Sequence, residues 1–309
     1  IYEETYKSVV LILTDTGQGS GFLYDSHKHI VTNWHVVEGA TVVEVEFYDG
    51  TIVPATVVGV DAYADLAVII PDTIPAGMTP LRLGNSTEAL IGDPVVAVGN
   101  PLGTSGSLSS GYISRKNVFI QVEGVPLVVN EFQLDLTIAP GSSGGALLNM
   151  DREVIGVTNA GYEGYSYSYA VPSNIVRRVA EGIIADGKYS HPMFGFGLLE
   201  LSRDAILYYN VFNVDSTQRG LMVTEIVAGS AAEAAGLQAA VLKSDPGGDL
   251  GYEAKDILLA INGHSVNTLE DLHGYVEEWL SPGETVDITI WRGGAVIQVS
   301  VTPTAREQY

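Results

Sequence analysis

The stretch Leu136-Thr137-Ile138-Ala139-Pro140-Gly141-Ser142-Ser143-Gly144-Gly145-Ala146-Leu147-Leu148 constrains this chain more than any other. One apolar run leads in and another leads out, and between them a proline and three glycines hold two serines. Glycine at 141, 144 and 145 lets the backbone take left-handed or crowded conformations that a Cβ would forbid. Such a turn aims a hydroxyl outward and leaves neighbouring amide N–H groups unpaired. Acyl transfer needs that combination, a nucleophile beside donors for the developing oxyanion. A Gly/Ser surface loop is the plain alternative, and a base and an orienting acid elsewhere in the chain decide between them.

The chain as a whole narrows the field. Its 309 residues suggest about two domains, and 46% apolar residues supply two cores. A net charge of −22 sets the surface against nucleic acid and anionic lipid as partners. Without cysteine there are no disulfides and no thiolate metal sites. No metal and no cofactor is expected. Apolar runs are a handful of residues long, short of a membrane span. The chain starts at Ile1 without Met or a leader pattern and reads as a mature or trimmed fragment, with any leader or anchor out of view.

Short strands are expected at Ser8–Leu13, Val42–Phe47, Thr51–Val60, Val95–Val98, Gly106–Ser114, Val118–Val122, Val154–Thr158 and Ser166–Val171. Gly17-Gln18-Gly19-Ser20-Gly21-Phe22 lacks the helix a dinucleotide fingerprint requires and reads as a tight hairpin. Pro172–Asp186 reads as a helix with Gly187 just past its end. This many short strands closed by one helix point to a barrel-type all-β domain. Composition changes at Gly187–Pro192, the expected linker. Beyond it, strands at Gly220–Val227 and Asp256–Asn262, a hairpin from Thr285 to Thr302, and helices at Ser230–Ala235 and Thr268–Leu280 describe a small α+β domain. Lys243–Glu253 has acids without EF-hand spacing and reads as a solvated loop insertion.

His35, after the strand-like Ile30-Val31-Thr32, and Asp65, at the mouth of Leu66–Ile70, supply the missing base and acid. With Ser143 they give the chain order His…Asp…Ser. In this arrangement Ser143 attacks the carbonyl, His35 relays its proton, and Asp65 fixes the imidazole tautomer. The N–H groups of Gly141 and Ser143 would form the oxyanion hole. Gly141–Gly145 also fits G-x-S-x-G, but a strand rather than a helix follows, and acid and histidine precede the serine, against an α/β-hydrolase.

Taken together, Gly19-Ser20-Gly21-Phe22, Thr32–Val37, Asp65–Val68, Gly99-Asn100-Pro101, Pro140–Gly145 and Ala170–Ser173 resemble the HtrA/DegP family of serine proteases. Arg219-Gly220, Ser230–Ala232, Ala235–Leu237 and Asp256–Gly263 extend the resemblance through the second domain. Two departures stand out: Ser142 where the family usually has Asn, and a lengthened second domain at Lys243–Glu253. The resemblance implies a mainly β chain, a chymotrypsin-like double β-barrel followed by a small α+β PDZ domain. Its boundaries are 1–187 for the protease domain, 188–193 for the linker and 194–309 for the PDZ domain. It further implies an extracytoplasmic, ATP-independent endopeptidase for unfolded or damaged polypeptides, a homotrimer, with any membrane anchor outside this chain. An apolar specificity pocket is expected from Thr137, with walls from Thr158, Asn159, Ala160, Gly161 and Tyr162. The PDZ domain is expected to bind peptide C-termini at Met193, Phe194, Gly195 and Phe196, with Leu272 and Val276 lining an apolar pocket. The rival reading is a proteolytically silent PDZ-containing chaperone or scaffold.

Overall fold

Along a strand, successive side chains leave opposite faces, and in the first half of this protein both faces are buried in different places. Ala67 and Ile69 fill one core with Val10, Ile12, Leu23 and Ile30, while Leu66 and Val68 fill another with Val9, Phe22 and Val31. The computed structural model describes residues 1–100, 106–120, 128–161 and 167–306 and divides into two units, Ile1–Tyr189 and Ser190–Tyr309. Unit one opens with a one-turn helix, α1 (Tyr2–Thr5). It continues with β1 (Val9–Leu13), β2 (Gln18–Leu23), β3 (Ile30–Thr32), α2 (Trp34–Val37), β4 (Val42–Glu46), β5 (Ile52–Asp61) and β6 (Leu66–Pro71). These six strands close into a barrel in the order β1-β2-β3-β6-β5-β4. A second barrel, β10-β11-β12-β9-β8-β7, is built from β7 (Pro94–Gly99), β8 (Ser107–Ile120), β9 (Val128–Leu134), β10 (Ala146–Leu148), β11 (Val154–Gly161) and β12 (Ser168–Pro172). The mainly β, double-barrel expectation holds.

The second barrel splits its faces as the first does. Val95, Ala97, Phe132, Leu134 and Leu147 fill its interior, and Val96, Val98, Ala146, Leu148 and Val157 join Val9, Phe22 and Val68 in the core the two barrels share. Helix α3 (Ser173–Asp186) closes that shared core with Ile175, Val176, Val179, Ala180 and Ile183. It ends where Gly187, at φ +75°, turns its N–H to the Ile183 carbonyl, a left-handed cap that favours glycine. Each fully buried aliphatic side chain here contributes about 1.5–3 kcal/mol.

Two local readings change in this unit. Gly17–Phe22 is not a hairpin tip. The turn is Thr14–Gly17, and Gly19 and Gly21 lie within β2, where a Cβ would run into Val36 and Ile30 respectively. The expected strands 106–114 and 118–122 are one strand, β8, whose register against β9 shifts repeatedly around Arg115–Val118, with Asn117 at φ +57°. Polar residues at the irregularity broke the apolar pattern without ending the strand. Residues 121 and 122 lie outside the described residues.

Unit two contains β13 (Pro192–Met193), β14 (Phe196–Glu200), α4 (Arg203–Tyr208), β15 (Leu221–Ile226), α5 (Ala231–Ala234), β16 (Val241–Ser244) and β17 (Leu250–Glu253). There follow β18 (Asp256–Ile261), β19 (His264–Ser265), α6 (Leu269–Trp279), β20 (Val286–Arg292), β21 (Ala295–Val301) and β22 (Thr304–Ala305). The main sheet runs β14-β15-β18-β20-β21, and β13 pairs with β22. Of the stretch expected as linker, Lys188 and Tyr189 fall in unit one and Ser190–Met193 in unit two, where His191 is buried and hydrogen-bonded to Glu277. The insertion is a hairpin, not a loop: β16 and β17 pair from Val241↔Glu253 to Ser244↔Leu250, turning where Asp245 caps the N–H groups of Gly247 and Asp249. Helix α6 starts at a capping box between Thr268 and Asp271.

Candidate active site

His35 sits on the one-turn helix that follows β3. Its backbone N–H donates to Asp65 Oδ1 at 3.0 Å, and its Nδ1 lies 2.7 Å from Asp65 Oδ2. Asp65 is fully buried while His35 is partly open to solvent. A buried acceptor-only carboxylate fixes the proton on Nδ1 and leaves the Nε2 lone pair for another partner. The acid itself is held in place by its backbone. Asp65 takes φ +49° in the turn between β5 and β6, and its carbonyl accepts the Asn33 side-chain N–H at 2.8 Å.

Ser143 lies in the turn ahead of β10, between Gly141 (φ +90°) and Gly144 (φ +87°). Ser20 of the first barrel pins this turn from one side. Its N–H donates to the Ser143 carbonyl and its hydroxyl to the Gly141 carbonyl, both at 2.7 Å. Thr158 pins it from the other, donating its hydroxyl to the Ser142 carbonyl at 2.7 Å and accepting the Gly144 N–H at 2.8 Å. A Cβ on Gly144 would collide with the Ser20 carbonyl and Thr32 Oγ1. Thr32 in turn donates to that same Ser20 carbonyl at 2.7 Å, three residues before His35. The backbone carrying the serine is thereby bound to the backbone leading to the histidine.

The N–H groups of Ser142, Gly144 and Gly145 are committed to the carbonyls of Ala139, Thr158 and Ser142. Those of Gly141 and Ser143 donate to no acceptor among the described residues. The Ser143 hydroxyl likewise makes no hydrogen bond among them, so a Ser143–His35 hydrogen bond is not formed in this structure. In unliganded sites such bonds are often long and tighten when substrate arrives.

The residues expected around a specificity pocket stand in and around β11 and ahead of the serine turn. Thr137 is exposed; Thr158 braces the turn; Asn159 is buried and donates to Glu131. Ala160 and Gly161 end β11, and Tyr162 lies outside the described residues. Sequence reasoning did not single out Ser20 or Thr32 as braces, nor Glu131. The first two stood within quoted motifs, and a charged residue in the apolar run ahead of Leu136 was a visible signal for the third.

In unit two, β14 pairs with β15 alone among the described residues and so presents an open edge. Just before it, the Phe194 carbonyl accepts the Ala232 N–H and the Gly195 carbonyl accepts the Val227 N–H, both at 2.9 Å. Gly195 takes φ +79°, and the N–H groups of Phe194 and Gly195 have no acceptor among the described residues. Leu272 and Val276 face the core with Phe194. Phe196, Leu198, Leu269 and Tyr275 cover that core while staying partly exposed.

Two barrels sharing a core, with the acid–histidine pair on one and the glycine-framed serine on the other, followed by a sheet whose β14 edge is unpaired among the described residues, define a trypsin-like peptidase domain joined to a PDZ domain. Family models agree: a trypsin-like peptidase domain matches residues 19–157 and a PDZ domain residues 201–302. The chain is 35% identical over 94% of its length to a probable periplasmic serine endoprotease, DegP-like, of Chlamydia trachomatis. It is 32% identical over 94% of its length to the putative serine protease HhoB of Synechocystis, covering 67% of that protein. Of the Chlamydia protein it covers 54%, so the chain spans about half the length of such curated relatives. An HtrA-type protease, AlgW, solved with a decapeptide shares the fold over 100% of this chain and 98% of its own, with a TM-score of 0.75 at 21% identity. The chain belongs to the HtrA/DegP family of serine proteases.

Proposed function

We propose that the protein is an ATP-independent serine endopeptidase acting on unfolded or damaged polypeptides in an extracytoplasmic compartment, assembled as a homotrimer. The observation that carries the reading is the pairing of His35 and a buried Asp65 with a serine turn in which the N–H groups of Gly141 and Ser143 are unused among the described residues. Ser143 Oγ attacks the peptide carbonyl carbon, and His35 Nε2 takes its proton. The N–H groups of Gly141 and Ser143 receive the oxyanion. Collapse breaks the C–N bond as His35 returns the proton to the leaving amine, and water, activated by the same imidazole, hydrolyses the acyl-enzyme. Relatives are named periplasmic endoproteases, which supports the compartment. No described helix is long and apolar enough to cross a membrane.

The specificity pocket is proposed to favour apolar side chains, since Thr137, Thr158, Asn159, Ala160, Gly161 and Tyr162 carry no charge. The loop Met193–Phe196 is proposed to capture a peptide carboxylate. Casein digestion tests the central claim. Ser143→Ala should retain the fold and lose turnover by on the order of 10⁶, the scale of removing such a nucleophile elsewhere. If it kept more than about a hundredth of wild-type turnover, the serine assignment would fail. A wild-type chain inert toward casein and peptides at every pH would favour the silent scaffold instead.

A further inference from the structure

Gly141 has no Cβ to restrict its dihedrals, yet its N–H must point at one place if it is to meet an oxyanion. At φ +90° it is held by contacts from elsewhere in the fold. One of these is the Ser20 hydroxyl, which donates to the Gly141 carbonyl at 2.7 Å, and that hydroxyl does not stand alone. Its oxygen accepts the Asn100 N–H at 2.8 Å. The Asn100 side-chain oxygen accepts the Gly106 N–H at 3.4 Å, and the Gly106 carbonyl accepts the Tyr2 hydroxyl at 3.1 Å. The last approach is close. Gly106 takes φ +79°, and a Cβ there would lie 2.7 Å from the Tyr2 hydroxyl oxygen. Four hydrogen bonds in series thus join Tyr2 to the residue that carries the proposed oxyanion donor.

Both ends of this series are anchored. The ring of Tyr2 packs against the core that the two barrels share and stacks on Tyr6 with centroids 5.2 Å apart. Helix α1 is a single turn, too short to persist on its own hydrogen bonds, so the ring contacts fix where the hydroxyl lies. At the other end, Gly99 of β7 lies against the serine turn so closely that a Cβ on it would come within 2.8 Å of the Ser142 Cβ.

Resting on the protease reading, we propose that Tyr2 is a positioning residue for the oxyanion hole, its hydroxyl fixing the Gly141 carbonyl through Gly106, Asn100 and Ser20. Only φ and ψ of one residue separate that carbonyl from the Gly141 N–H, so holding the first aims the second. Each link holds the group that makes the next. The effect belongs to the transition state: the Gly141 N–H meets a full charge only as the tetrahedral intermediate forms. Loosening it therefore slows turnover and leaves substrate binding alone.

The test uses the full chain, a fluorogenic peptide spanning a casein cleavage site, and a peptide boronic acid with the same residues ahead of the bond. Boron takes an oxygen lone pair of Ser143 while His35 takes the proton, and the tetrahedral anion presents an oxygen to the oxyanion donors. Tyr2→Phe keeps the ring and its stack on Tyr6 and removes only the hydroxyl. It should lower kcat by about fivefold, the size of one hydrogen bond's net contribution, with KM unchanged. Its affinity for the boronic acid should fall by a similar factor. Asn100→Ala breaks the middle link and keeps the backbone N–H that Ser20 accepts, and it should slow turnover at least as much. Because the links act in series, the double variant should be no slower than Asn100→Ala alone. Wild-type kcat or wild-type boronic-acid affinity in Tyr2→Phe overturns the proposal, as does a double variant whose losses multiply. A fall in kcat that accompanies a smaller mass by light scattering also overturns it, because the hydroxyl would then act through assembly. The Ser143→Ala control keeps the two readings apart: if it loses proteolysis while Tyr2→Phe matches wild type, only the role of Tyr2 fails.

Discussion

Two kinds of residue make the candidate site: those placed to do chemistry and those that hold them. Ser20 belongs to the second kind. Its hydroxyl donates to the Gly141 carbonyl at 2.7 Å and accepts the Asn100 N–H at 2.8 Å, and its own N–H holds the Ser143 carbonyl. Removing the hydroxyl leaves a buried N–H and a carbonyl beside the proposed oxyanion hole without their partner, at about 1–3 kcal/mol. Ser20→Ala should therefore destabilise the domain by that order in chemical denaturation. It should also lower kcat by about tenfold, with less effect on KM, because the Gly141 N–H is aimed at a charge that exists only in the transition state. An unchanged kcat would show that Thr158 and the glycine dihedrals hold the turn unaided.

Among the elements, β14 carries the clearest consequence. A strand at a sheet edge exposes a row of main-chain donors and acceptors, and an extended peptide satisfies them by adding a strand. The unaccepted N–H groups of Phe194 and Gly195 stand at the start of that edge, where a chain terminus would place its carboxylate. The apolar surface available beside it belongs to Phe196, Leu198, Leu269 and Tyr275. Leu272 and Val276, expected to line a pocket, face the core beneath them. A peptide with a free carboxylate and an apolar last residue should bind unit two at about micromolar Kd or weaker. C-terminal amidation should weaken it at least several-fold, since the N–H groups lose a charged acceptor. Equal affinity of acid and amide by titration calorimetry would refute carboxylate capture. Leu198→Asp should weaken both peptides alike, which separates groove contacts from carboxylate contacts.

At the scale of the whole molecule, the proposed trimer turns on the aromatic residues at the start of the chain. Tyr2 and Tyr6 stack with ring centroids 5.2 Å apart, Tyr6 meets Tyr48 edge-on at 6.3 Å, and Lys7 Nζ lies within 6 Å of both the Tyr6 and Tyr48 centroids. The cluster is half-buried, so large amphipathic rings remain open to a partner, the kind of residue that anchors interfaces. Light scattering at micromolar concentration should give three times the 32.8 kDa chain mass. Tyr2→Ala with Tyr6→Ala should shift that mass toward the monomer. A net charge of −22 on each chain makes self-association more favourable as salt rises, so the mass is best measured across ionic strength. A monomeric mass throughout would refute the trimer.

Local chemistry determined a good deal of this protein. Two-residue periodicity announced the strands, Gly187 marked the end of α3, and glycines at 141 and 144 announced a turn that needs positive φ. Asp65 and His35 were legible as candidate partners of Ser143 from motif and order. Their contact rests on a left-handed turn at Asp65 that no nearby residue announces. What stayed hidden depends on partners far away in the chain. Ser20 braces a turn more than a hundred residues later. Glu131 is buried against Asn159 on another strand. The hairpin β16–β17 looked like a loop because β16 is exposed throughout and β17 is largely only half-buried, so neither shows the apolar alternation that burial imposes. Conversely, β8 looked like two strands because its irregular middle keeps the ladder while losing the alternation. Sequence reveals a segment's period and its turn chemistry because both are set within a few residues. Which face is buried was decided only when the two barrels closed on a common core, and which acid lies behind His35 only when β3 paired with β6.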